Sequence, residues 1–173
     1  VNIDFLTASL YKWCFCPQGI CLTIFSNSLL NQLSLITAGV FSLTNRQLIE
    51  KSTDFASCGQ QFESGNLNIL GIMLAYETFR WFNQLSINYI HLLLSNLAQQ
   101  IIDLLLDKNY QLLIDYSQGP RSAIVSFIHP QAQSFITTLN NQSGAATWRD
   151  GYIRLSPGIY QDTKTIDKLA QLL

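Results

Sequence analysis

Residues 9–19 read Ser9-Leu10-Tyr11-Lys12-Trp13-Cys14-Phe15-Cys16-Pro17-Gln18-Gly19. A short apolar run, Asp4–Ala8, precedes this stretch, and a second, Gly19–Phe25 (GICLTIF), follows it. Both runs have the composition of buried strands, so the pattern predicts strand, turn, strand, with Lys12 just past the first strand end. A lysine among aromatic side chains is poorly hydrated when charged, which lowers its pKa and frees the amine as a nucleophile. A strand-end lysine can equally lay its stem on apolar surface and keep its ammonium in water.

Working outward, residues 26–64 are rich in Ser, Asn, Gln and Thr and predict no defined element. From Asn68 the period turns helical, with Ile69, Ile72, Met73, Tyr76, Phe79 and Phe82 forming an apolar stripe. Ser86 is the expected N-cap of a second helix running through Ile90, Leu97, Ile101 and Leu105 to Lys108-Asn109. Then follow strand Leu112–Tyr116, turn Gln118-Gly119-Pro120, strand Ser122–His129, and a helix opened by Pro130 and continued over Gln131–Asn141. Ala146–Arg149 and Tyr152–Leu155 read as a hairpin around Asp150-Gly151. Asp162 or Thr163 should cap a closing helix.

The 173 residues are 48% apolar and 12% charged, with net charge −1. That excludes the basic face a nucleic-acid or anionic-lipid binder needs. Cys14, Cys16, Cys21 and Cys58 are expected to be reduced thiols in a cytoplasmic protein. His91 and His129 stand too far from them for a metal site. The sequence offers no charged n-region leading into an apolar h-region, and its apolar runs are interrupted by polar residues, so neither secretion nor membrane spanning is expected; a first residue that is Val rather than Met agrees with a truncated start.

Three stretches together resemble the class V aminotransferase family of pyridoxal 5'-phosphate (PLP) enzymes. Residues 9–19 resemble its Ser-x-(His or Tyr)-Lys motif with the following Gly-Pro-x-Gly turn. Phe62-Glu63-Ser64-Gly65-Asn66-Leu67-Asn68 resembles Glu-x-Gly-Thr-x-Asn. Arg149-Asp150-Gly151-Tyr152-Ile153-Arg154-Leu155-Ser156-Pro157-Gly158-Ile159-Tyr160 resembles Arg-x-Gly-x-Ile-Arg-x-Ser-Pro-x-x-Tyr. The resemblance implies that Lys12 forms the Schiff base with PLP. It implies that Ser9 and Tyr11 bind the cofactor phosphate, that Asn66 reaches it from a second subunit, and that Arg154 clamps the substrate carboxylate. The family's aspartate for the pyridine nitrogen and its ring-stacking aromatic would both precede Val1.

Cys16, Cys21, Asn66 and Gln161-Asp162 depart from the family pattern. A cysteine where the turn uses glycine should strain the loop, and Gln161 should disturb the hydrogen bonding of its segment. Cysteine desulfurases of the family place a nucleophilic cysteine ahead of the clamp arginine, whereas Leu139–Arg149 contains none. The resemblance is therefore nearer to epimerase-, kynureninase- and lyase-like members.

The implied fold class is α/β to α+β. Residues 1–85 would be the C-terminal remnant of a PLP-binding large domain, and residues 86–173 a small α+β domain with a mainly antiparallel sheet. The expected partners are an amino-acid substrate and either a homodimeric copy or a separately encoded N-terminal half. Two functions compete: a piece of a working PLP-dependent transferase or lyase, and a degenerate, inactive interaction or scaffold module.

Overall fold

The computed structural model describes residues 2–45, 54–117, 122–142 and 144–173. Lys51 and the expected turn Gln118-Gly119-Pro120 lie outside them. The chain forms two compact units, Val1–Trp81 and Phe82–Leu173.

In the first unit, β1 (Phe5–Ser9) pairs antiparallel with β2 (Cys21–Phe25), in register from Phe5↔Phe25 to Ser9↔Cys21. The two strands form a sheet of their own, so among the described residues each has one edge without a strand partner. No residue of either strand is buried, contrary to their apolar composition. Ser26 caps the short helix α1 (Asn27–Leu30), its Oγ accepting from Leu29 N at 3.1 Å. Residues 39–45 and 54–64 then organise around Ser42, which is fully buried. Its Oγ accepts from Gly39 N at 3.2 Å and donates to Glu63 O at 3.4 Å, and its carbonyl accepts from Ala56 N at 2.9 Å. Gly39 is required by contact: a Cβ there would lie 1.8 Å from Ser64 O.

Helix α2 (Ile69–Leu85) is capped by Asn68, whose Oδ1 accepts from Gly71 N at 2.9 Å. Its buried face is not the predicted stripe. Gly71 and Ala75 are buried, whereas Ile69, Ile72, Met73 and Tyr76 are exposed. Among the described residues, the buried cluster of this unit, Leu10, Cys16 and Ala75 with Phe79 and Ile20 beside them, is small and meets the helix on its small-residue side.

In the second unit, α3 (Ile87–Asp107) begins one residue after α2. Ser86 does not cap it with its side chain. Its φ of +70° departs from the extended backbone that a capping hydroxyl needs, and its carbonyl alone engages the helix, accepting from Ile90 N at 3.1 Å. Among the described helices, α3 is long and apolar enough to cross a membrane by length and composition. Here Leu97, Ala98, Ile101, Ile102 and Leu105 pack into the core.

The expected strand 112–116 shrinks to a single bridge, Leu112↔Phe127. Asp115 competes with the ladder: its Oδ1 accepts from Ser117 N at 2.8 Å and turns the chain. The Tyr116 hydroxyl takes over one strand position by accepting from Ser126 N at 2.8 Å. β3 (Val125–Ile128) and β4 (Thr147–Arg149) flank the central β5 (Tyr152–Leu155) in an antiparallel sheet of order β3-β5-β4. Asp150 and Gly151 join β4 to β5 with φ of 51° and 86°, the left-handed pair of a tight hairpin turn.

Helix α4 (Ala132–Asn141) opens two residues after Pro130: Gln131 is its N-cap, with non-helical backbone, its N–H donating to His129 Nδ1 at 3.0 Å and its carbonyl accepting from Phe135 N at 3.0 Å. Asp162 caps α5 (Thr163–Leu172), accepting from Thr165 N at 3.2 Å. Helices α3, α4 and α5 bury one face of the sheet around Val125, Phe127, Phe135, Ile153, Leu155 and Leu169.

Candidate functional site

The end of β1 delivers Ser9, Tyr11 and Lys12 in succession. Leu10 is buried between them and anchors the turn: its N–H donates to Ile20 O and its carbonyl accepts from Cys16 N, both at 3.2 Å. Lys12 heads the next turn, its carbonyl accepting from Phe15 N at 3.4 Å. Its Nζ lies 5.6 Å from the centroid of the Tyr11 ring. Lys12 is exposed rather than enclosed by its aromatic neighbours, which corrects the expected apolar setting. Ser9 is exposed as well, with its Oγ 3.9 Å from Cys21 Sγ.

The expected strain at Cys16 and Cys21 is absent. The left-handed residues of the loop are Phe15, at φ 52°, and Gly19, at φ 85°. Cys16 is buried with its Sγ donating to Cys14 O at 3.2 Å, and Cys21 opens β2 in extended form. Burial raises the pKa of both Cys14 and Cys16, and the nearness of Cys16 raises Cys14 further. These are inert thiols. Among the described residues, no cluster of His, Cys, Asp or Glu is placed to hold a metal ion.

Asn66 is exposed in the segment before α2. The capping bond there belongs to Asn68. Gln161, expected to disturb its segment, supplies a bond instead: its Oε1 accepts from Gly158 N at 2.7 Å.

Arg154 belongs to the second unit. Ile153 and Leu155 on either side point into the core, so alternation turns Arg154 to the outer face of the sheet, between Ser126 on β3 and Thr147 on β4. Among the described residues, no carboxylate pairs with its guanidinium. Sequence reasoning missed Arg149, which the register sets opposite Tyr152 on that same face. The two-residue spacing around Asp150-Gly151 carries that signal.

The donor chemistry of the strand end fits the attachment and phosphate ends of a phosphorylated aldehyde: one exposed amine with two hydroxyls beside it. A family model for aminotransferase class-V matches residues 1–169. The chain belongs to the class V aminotransferase family.

Solved structures agree on the fold. The cysteine desulfurase from Thermococcus onnurineus NA1 is 16% identical with a TM-score of 0.85, over 98% of this chain and 46% of that one. The cystine C-S lyase C-DES in complex with cysteine persulfide is 16% identical with a TM-score of 0.87, over 99% and 46%. A C-DES variant carrying glycine covalently linked to its PLP cofactor is 15% identical with a TM-score of 0.86, over 99% and 46%. The class V aminotransferase chain thus spans less than half the length of each. The cofactor of this family is PLP. No curated protein matches the chain.

Proposed function

We propose that this class V aminotransferase chain is the C-terminal portion of a PLP-dependent enzyme acting on an amino acid. Residues 1–85 would belong to its large domain and residues 86–173 would form its small domain. The observation that carries the reading is the exposed Lys12 amine at the end of β1, with Ser9 and Tyr11 beside it, inside a family match that runs almost the whole chain.

When bound, PLP supplies an electron sink for bond changes at the amino acid's α-carbon. Lys12 would provide the amine that attaches it, and Ser9, Tyr11 and a partner copy's equivalent of Asn66 would donate hydrogen bonds to its phosphate. Arg154 would hold the substrate α-carboxylate, for which its planar fork is suited and for which no chain carboxylate competes among the described residues. Aminotransferase, lyase and epimerase chemistry all fit this set. We favour the epimerase-, kynureninase- and lyase-like branch over the desulfurases, because Leu139–Arg149 lacks a cysteine; desulfurase fold neighbours at such low identity do not supply that nucleophile.

The exposed stripe Ile69, Ile72, Met73 and Tyr76 supports a partner, either a second copy or the remaining half of the fold. It equally suits the competing reading, an inactive interaction module, and the reduced cysteines suit a cytoplasmic setting for both.

Incubation with PLP, borohydride reduction and peptide mapping separate the two. Preferential modification of Lys12 over Lys108, Lys164 and Lys168 is expected for the enzyme reading. Uniform labelling of all four would leave the interaction module.

A further inference from the structure

Within the three strands, the outer face of the sheet carries two positive charges and no negative one. Register and alternation place Ser126 and Ile128 of β3, Thr147 and Arg149 of β4, and Tyr152 and Arg154 of β5 on it. Arg149 lies opposite Tyr152, which makes it the diagonal neighbour of Arg154, a backbone separation of roughly 7–8 Å. Both arginines are exposed.

The chain has as many as 11 acidic residues, and Arg80 on α2 is held by Glu77 at 2.6 Å. Among the described residues neither Arg149 nor Arg154 has such a partner. Asp150, adjacent in sequence, sits in the hairpin turn and pairs with neither. Two unpaired guanidinium groups this close repel each other, and an anion reaching both removes the repulsion while gaining two charge-assisted contacts.

We propose that Arg149 and Arg154 form a two-cation site selecting an amino acid with a second, side-chain carboxylate. Arg154 takes the α-carboxylate and Arg149 the distal one. The assignment of Arg154 rests on the clamp reading above; the role of Arg149 is new and sets the substrate class as dicarboxylic. Ser126, Thr147 and Tyr152 complete the face as neutral hydrogen-bonding groups, so nothing on it opposes a dianion.

The test uses the whole 173-residue chain, labelled with nitrogen-15, titrated with glutarate and with pentanoate at constant ionic strength. Arginine Nε–H signals are followed by NMR, with Arg80 as the internal control. Glutarate should bind about fivefold tighter than pentanoate, the upper range for one added exposed ion pair. That is more than the statistical gain from a second carboxylate. The Arg149 and Arg154 signals should move while Arg80 stays still. Arg149→Gln should bring glutarate down to the level of pentanoate measured on the same variant, and Arg149→Lys should keep part of the preference. Equal binding of the two acids by the unaltered chain, or a preference that survives Arg149→Gln, overturns the two-cation site. Pentanoate binding that ignores Arg154→Gln is a different failure, that of the Arg154 clamp.

Discussion

Phe127, Ile153 and Trp148 form one row across β3, β5 and β4, with Ile153 paired to both neighbours. The row runs from core to edge: Phe127 and Ile153 are 0% exposed and Trp148 is 51% exposed. Truncating a buried phenylalanine to alanine costs about 3–5 kcal/mol. Phe127 also stands edge-on to Tyr110 at 5.3 Å and Phe135 at 6.2 Å, which places Phe127→Ala toward the upper end. A unit the size of Phe82–Leu173 retains about 5–14 kcal/mol in all. The substitution therefore removes a large share of it, about 2–3 M in the urea midpoint. Trp148→Ala removes a larger side chain but should cost only about 1.5–2.5 kcal/mol, because half of that surface already meets water. Urea unfolding monitored by hydrogen exchange on peptides from residues 82–173 reads the difference directly. Equal shifts for the two variants, or a larger one for Trp148→Ala, would refute the claim that the β3–β5 seam is the centre of this unit.

Gly39→Ala should destabilise the packing of residues 39–45 against 54–64 by about 1–3 kcal/mol, because its methyl group meets the Ser64 carbonyl; faster proteolytic nicking within residues 54–64 checks it. Asp162→Ala should cost about 1 kcal/mol by removing the cap from Thr165 N, read as faster exchange in the first turn of α5, with Asp162→Asn restoring most of it. Burial lowers the pKa of His129 below the ordinary 6.5, and its Nδ1 accepts a bond that a protonated nitrogen cannot. The unfolded chain then binds the proton more readily. This contribution is whole above about pH 6.5 and fades as pH falls through the lower folded value. The urea midpoint of the unaltered chain should accordingly fall more steeply on acidification than that of His129→Phe; parallel profiles would contradict this.

The second unit was readable from sequence wherever local chemistry agreed with the packing. Asp150-Gly151 and Asp162 mark their turn and cap outright, and the spacing from Leu97 to Leu105 gives the core face of α3. Reading failed where side chains rewrote the backbone, as Asp115 and Tyr116 did for the expected strand. It failed differently for α2, whose apolar stripe has no cover among the described residues, so periodicity identified a face without its partner. At the candidate site the strand-end position of Lys12 was legible and its exposure was not. Exposure depends on neighbours remote in sequence.

The left-handed Phe15 has a consequence for how the loop of Lys12 keeps its shape. An aromatic residue adopts φ near +52° only against its own preference, at a cost on the order of 1–3 kcal/mol. Something must hold it there. Its ring lies 6.3 Å from that of Trp81 on α2. The loop is in effect a bent spring, held by the bonds from Phe15 N to Lys12 O and from Cys16 N to Leu10 O and braced by a residue far along the chain. A substitution at Trp81 removes that brace as surely as one at Phe15, although neither residue has any chemistry of its own to offer.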